Sequence, residues 1–129
     1  MQQEQSRAGD AVPPPTANAR SYRLGPVTVV ELRGEIDLGS ADAIEPHLAA
    51  AAQGPPPLTV VLDLGPVEFI DCFGLSLLVR ARRRITDRGG RVAMACDLRA
   101  TRKLLALTGL DGLFHPYRHL DDALRDQMR

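Results

Sequence analysis

The groups with the most chemical potential in this 129-residue chain are two cysteines, three histidines and the run of acid, thiol and hydroxyl side chains between Asp71 and Ser76. Cys72 opens the strongest helical pattern, and a helix N-terminus favours the thiolate, the nucleophilic form. A cysteine that attacks phosphate esters needs an arginine six residues on, but position 78 is leucine and the nearest arginine is Arg80. His115 and His119 have the spacing of two metal ligands on one helix. Pro116 between them argues against such a helix, so no metal site is expected. Cys72 and Cys96 fit neither a zinc pattern nor a disulfide framework. Neither G-x-x-x-x-G-K-[ST] nor G-x-G-x-x-G occurs, so no phosphate-cradling loop and no cofactor are predicted. An enzymatic reading would rest on Cys72 alone, and the chain is expected not to be an enzyme.

Binding chemistry is better represented. In Phe69-Ile70-Asp71-Cys72-Phe73-Gly74-Leu75-Ser76 a strand-like approach meets a helix start, and Asp71 is placed to accept free N–H groups as its N-cap. At roughly 100° per residue, Gly74, Leu77, Leu78, Ala81 and Ile85 share one side of a helix over 72–88. Ser76, Arg80, Arg83, Arg84 and Asp87 share the other. Phe73 falls with the arginines, so periodicity exposes a residue that composition would bury. It reads either as an interface anchor or as a local lid over the Gly34–Asp37 loop.

The elements that position this segment alternate strand and helix. Residues 1–18, with Pro13, Pro14 and Pro15, read as a disordered tail. Ser21–Leu24 and Val27–Arg33 are strands separated by Gly25-Pro26. Ala41–Ala52 reads as a helix whose true start is Asp42, with Glu45 completing a capping box and Pro46 in the first turn. His47 is alone on that helix, solvated or packed. Leu58–Leu62 is a central strand covered on both faces, and Val67–Ile70 approaches the helix. Val92–Cys96 is another buried strand, Ala100–Thr108 a helix, Leu113–Tyr117 a last short strand and Leu120–Gln127 a closing helix. The class is α/β, one domain, with a mostly parallel core and antiparallel pairing at the N-terminal edge.

Net charge is zero, 16 cations against 16 anions, which excludes binding of nucleic acid or an anionic membrane through bulk charge. The zero is a cancellation: residues 31–71 sum to −7 and residues 72–91 to +5. Aromatics are 4% with no tryptophan, too few for base stacking. The arginines at 80–84 and 88 therefore read as a solvated face or as a dock for an acidic partner. No signal peptide and no run of about 18 apolar residues is seen, so a cytoplasmic protein is expected.

Three blocks carry a resemblance to the STAS domain of the bacterial anti-sigma factor antagonists over about residues 19–129. They are Gly34-Glu35-Ile36-Asp37 after a strand, Val60–Leu64 followed by Val67–Asp71, and Asp71-Cys72-Phe73-Gly74-Leu75 at the start of the amphipathic helix. The resemblance implies a mixed sheet of four or five strands with about four helices, mainly on one face. It implies a partner, an anti-sigma factor that is also a serine kinase, bound through Asp37, Asp71, Cys72, Phe73, Gly74, Leu75 and Ser76 to free a sigma factor. In the family motif Asp-Ser-Ser-Gly-Leu the serine before the glycine is phosphorylated, which switches binding off. Here that position is Phe73 and the first serine is Cys72. A phenyl ring has no hydroxyl to phosphorylate, so the switch is expected to be absent, with Ser76 the substitute hydroxyl. The other reading is a STAS-like ligand-binding or scaffold module in a signalling assembly.

Overall fold

The computed structural model describes residues 12–129. Its strands are β1 (Ala19–Leu24), β2 (Val27–Leu32), β3 (Gly34–Ile36), β4 (Thr59–Asp63), β5 (Val67–Ile70) and β6 (Arg91–Ala95). Its helices are α1 (Ala41–Ala51), α2 (Cys72–Asp87), α3 (Arg99–Leu107), α4 (Asp111–Phe114) and α5 (Leu120–Gln127). Four strands form one sheet in the order β1-β2-β4-β6. β1 and β2 are an antiparallel hairpin, and β2, β4 and β6 run parallel. β2 and β4 are buried at every residue, which is why their sequences are nearly unbroken apolar runs rather than alternating ones. β3 and β5 form a separate parallel pair.

Helices α1 to α4 cover one face of the sheet. Ile44, Leu48, Leu77, Leu78, Ile85, Leu105 and Phe114 pack there with Val30, Leu32, Val60, Leu62 and Met94. On the other face α5 lays Ala123 over Val27, Val29, Val61 and Ala93, with Tyr22, Tyr117 and Leu124 at the margin. The expected placement, mainly on one face, holds for four helices of five.

Three expectations are corrected. α1 starts at Ala41, not at Asp42, because a 3-10 turn over Leu38–Ser40 leads into it and is capped from Asp37. Pro46 therefore stands inside the helix, opposite the carbonyl of Asp42; both residues are exposed, so water can serve the carbonyl that the proline leaves without a donor. Leu113–Tyr117 is not a strand. The backbone bonds locally, Phe114 N–H to the Leu110 carbonyl (2.9 Å) and His115 N–H to that of Asp111 (2.8 Å), and Phe114 drops into the core. Only Tyr117 bridges to β6, at Ala95.

The third correction concerns the N-terminal tail, of which residues 1–11 lie outside the described residues. Residues 12–18 are tied to the domain. The Pro14 carbonyl bonds His47 Nε2 (3.0 Å), Thr16 Oγ1 donates to the Ala43 carbonyl (2.9 Å), and Asn18 Nδ2 donates to that of Arg33 (3.0 Å). His47 is fully buried, its Nδ1 bonded to Ser21 Oγ (2.6 Å), so both ring nitrogens are satisfied.

Candidate functional site

The β3–β5 pair exists to bring two loops together. It sets Glu35 beside Phe69 and Ile36 beside Ile70, and both strands then end at the start of a helical element. The Ile36 carbonyl accepts the Asp71 N–H (3.3 Å), fastening the end of β3 to the start of α2. Asp71, in extended backbone, caps α2 by accepting the Gly74 N–H at Oδ1 (2.8 Å). Asp37 does the same for the neighbouring turn, accepting from Ser40 N–H (3.2 Å) while its own N–H donates to Ser40 Oγ (3.0 Å). Each acid therefore satisfies one backbone donor that a helix start would otherwise leave open.

Gly74 is required by proximity. A Cβ there would lie 2.7 Å from Ile70 Cγ1, and closer still to the Ile36 carbonyl oxygen, so only glycine lets α2 press against the end of β3. Of the seven residues expected to form the site, Gly74 and Leu75 are buried, and they set the helix rather than offer surface. Cys72, Phe73 and Ser76 are exposed, and Asp37 and Asp71 are half-buried. Ser76 Oγ donates to the Phe73 carbonyl (2.6 Å), so its hydroxyl is engaged within the first turn.

Phe73 is 37% exposed, as the helical periodicity predicts. Two further exposed apolar side chains that the sequence does not single out stand on the elements that meet there: Phe69 of β5, 50% exposed, and Leu38 after β3, 70% exposed. Of the three phenylalanines only Phe114 is buried. Strict alternation groups Phe69 with buried Val67, but a register shift between Gly34 and Glu35 interrupts the pairing, and β5 reads buried, exposed, exposed, buried. The signal available in the sequence was compositional: two of three phenylalanines lie within five residues. Beside them, Cys72, Leu75, Val79, Thr108 and Leu110 line a shallow, mainly apolar groove of about 300 Å³ between α2 and the end of α3.

The charge blocks are partly matched internally. Arg84 and Arg80 reach Glu45 of α1 (3.1 and 3.8 Å), and Arg88 Nη1 donates to the Ala52 carbonyl. Glu31, from the acidic block, is held between Arg33 (2.8 Å) and Arg20 (3.2 Å); the hydrogen bond from Arg20 keeps its carboxyl below the usual range. The arginine face is thus in part a structural clasp between helices. Cys96 is buried, and burial pushes its thiol up, away from reactivity. His115 ends α4 in the left-handed region and His119 precedes α5, so the two histidines occupy different elements. Among the described residues no helix is long and apolar enough to cross a membrane.

The architecture is that of a small mixed α/β domain with three exposed apolar side chains, Leu38, Phe69 and Phe73, on the elements where a short strand pair meets a capped helix. The chain belongs to the STAS domain family, whose family model matches residues 18–123. It is similar to the anti-sigma-F factor antagonist RsfB of Mycobacterium tuberculosis, 33% identical over 98 residues that make up 76% of this chain and 79% of that protein. The crystal structure of an anti-sigma factor antagonist from Mycobacterium paratuberculosis superposes with a TM-score of 0.72 at 35% identity, over 90% of this chain and 97% of that one. The phosphorylated form of the Bacillus cell fate determinant SpoIIAA shares the fold, with a TM-score of 0.64 at 19% identity, over 86% of this chain and 99% of that one.

Proposed function

We propose that this protein is a cytoplasmic anti-sigma factor antagonist: it docks through the β3–β5–α2 junction onto an anti-sigma factor of the serine-kinase type, and so releases a sigma factor. It does this as a binding protein, with no chemistry of its own. The observation that carries the reading is the exposed phenyl ring of Phe73 on a helix start where Asp71 already accepts one free backbone donor, the Gly74 N–H. The cap leaves one polar group fewer for a partner to strand, and an exposed aromatic beside it is a typical anchor. Transfer of phosphate needs a hydroxyl acceptor, which Phe73 lacks. The junction therefore stays free of the roughly two negative charges that a phosphoserine would bring.

The test is calorimetric titration against the kinase-type anti-sigma factors of the same organism, with and without ATP. A complex forms at micromolar concentration, and Phe73→Asp weakens it by about thirtyfold or more, the scale of a hot-spot aromatic. After incubation with a bound kinase and ATP, the intact mass of the wild-type chain is unchanged, whereas Phe73→Ser gains one phosphate. Failure of every such anti-sigma factor to bind at micromolar concentration would sink the assignment. A phosphate on residues 71–76 of the wild type, with Ser76 the available hydroxyl, would sink the unswitched part of it alone.

A further inference from the structure

Away from the junction the surface has the opposite chemistry. At the C-terminal end of β6 the chain passes through Cys96, Asp97 and Leu98 into α3, and a pocket of about 700 Å³ opens between Asp97, Arg99, Arg102, Lys103 and Arg118. Four cations and one carboxylate line it. That carboxylate is engaged by Arg118 at 3.2 Å. Arg102 Nη1 donates to the carbonyls of Cys96 (2.9 Å) and Pro116 (3.3 Å), which fixes the guanidinium in the pocket wall and leaves its remaining N–H groups free of protein acceptors among the described residues. Arg99 and Lys103 stand one turn apart on α3, and no carboxylate pairs with either among the described residues.

Like charges that line one pocket repel, and an anion between them relieves the repulsion. The start of α3 adds to the same potential, because Leu98 at its N-cap position offers no side-chain acceptor. We propose that the pocket binds a small molecule carrying two or more phosphate charges, with Arg99, Arg102 and Lys103 taking the phosphate oxygens. A held guanidinium fork and two exposed, unpaired cations suit the several oxygens of a phosphate better than a single carboxylate. The pocket shares no residue with the junction around Phe73, so this inference stands apart from the identity of the docking partner.

Isothermal titration of the full chain with inorganic pyrophosphate at about 0.15 M ionic strength tests it. Binding is saturable with one site. Arg99→Gln with Lys103→Gln, both at exposed positions, weakens it about tenfold or more, as expected for loss of charge-assisted hydrogen bonds. Arg23→Gln with Arg91→Gln removes the same charge at the opposite end of the sheet and changes affinity less than about twofold. Equal weakening by the two pairs, or heat that never saturates, would reduce the effect to bulk charge and overturn the proposal. Flotation with vesicles containing phosphatidylinositol bisphosphate separates the two sources of phosphate. Capture by vesicles without binding of free pyrophosphate would assign a lipid surface and overturn the small-molecule reading.

Discussion

Helices α2 and α3 both begin shortly after a parallel strand and both pack on the same face of the sheet, yet their first turns are built in opposite ways. Asp71 closes the start of α2 with its carboxylate, and the side chains around it that reach solvent include Leu38, Phe69 and Phe73. α3 starts from Leu98 with no side-chain cap, amid Arg99, Arg102, Lys103 and Arg118. One helix end has a side-chain acceptor for its Gly74 N–H and presents apolar surface, so covering it strands one donor fewer. The other leaves its donors open and surrounds them with cations. The difference teaches that a helix N-terminus is not one kind of site: the residue at the N-cap decides whether the potential of the helix end is quenched or offered.

Gly74 separates the two helix starts by the largest margin. It stands three residues after its N-cap, and Thr101 stands at the equivalent place in α3. Gly74→Ala forces a methyl group against Ile70 and the Ile36 carbonyl, and is expected to cost about 2–3 kcal/mol in urea unfolding, the scale of overpacking against backbone. Thr101→Ala, at a residue buried without such a constraint, is expected to cost about 1 kcal/mol. Equal losses at the two positions would show that α2 is not specially clamped onto β3, and the junction would lose its claim to be a preformed surface.

How much of this was legible in the sequence follows from what each feature depends on. α2 carries its own evidence in periodicity, and β4 in a nearly unbroken apolar run bounded by prolines and glycine, so their limits come out close to those observed. Asp71 as an N-cap and Phe73 as an exposed residue are likewise local consequences of position on one helix. The β3–β5 pair is different. Strands of three and four residues are too short to show alternation, and their pairing depends on residues more than thirty positions apart. The closeness of Gly74 to Ile36 depends on that same pairing, and so does the exposure of Phe69, which a register shift turns outward. Leu113–Tyr117 misleads because its apolar residues serve a short helix that plugs the core with Phe114. The basic pocket was hidden because Arg118 reaches it from a different element, far along the chain from Arg99.

A smaller effect separates the two caps directly. Asp71→Ala removes the acceptor for the Gly74 N–H and is expected to destabilise the domain by about 1 kcal/mol, the usual loss for an N-cap acid. Asp71→Asn keeps an acceptor in the same place and is expected to retain most of that stability. Should the asparagine variant fold as stably as wild type yet bind the anti-sigma factor more weakly, Asp71 would gain a charge role in docking beyond its capping role. If both variants bind as wild type does, once corrected for the folded fraction, its contribution is confined to holding Phe73 in place.

The smallest expected change has the reverse sign, and it bears on why α3 is uncapped. Leu98 sits in extended backbone at the N-cap position, a conformation that lets an aspartate accept from the first turn. Leu98→Asp supplies that acceptor and sets a negative charge against the helix end. It is expected to stabilise the domain by about 0.5 kcal/mol, less than a full cap is worth because a half-buried leucine gives up its packing. In the same variant pyrophosphate affinity falls about tenfold or more, since the new carboxylate competes for the donors and cations the phosphate would use. A gain in stability together with a loss of anion binding would mean that the open start of α3 is kept for a ligand at the expense of stability. Should the variant instead lose more than about 1 kcal/mol, leucine is there for packing, and the contrast with α2 reflects what each first turn buries rather than what it binds.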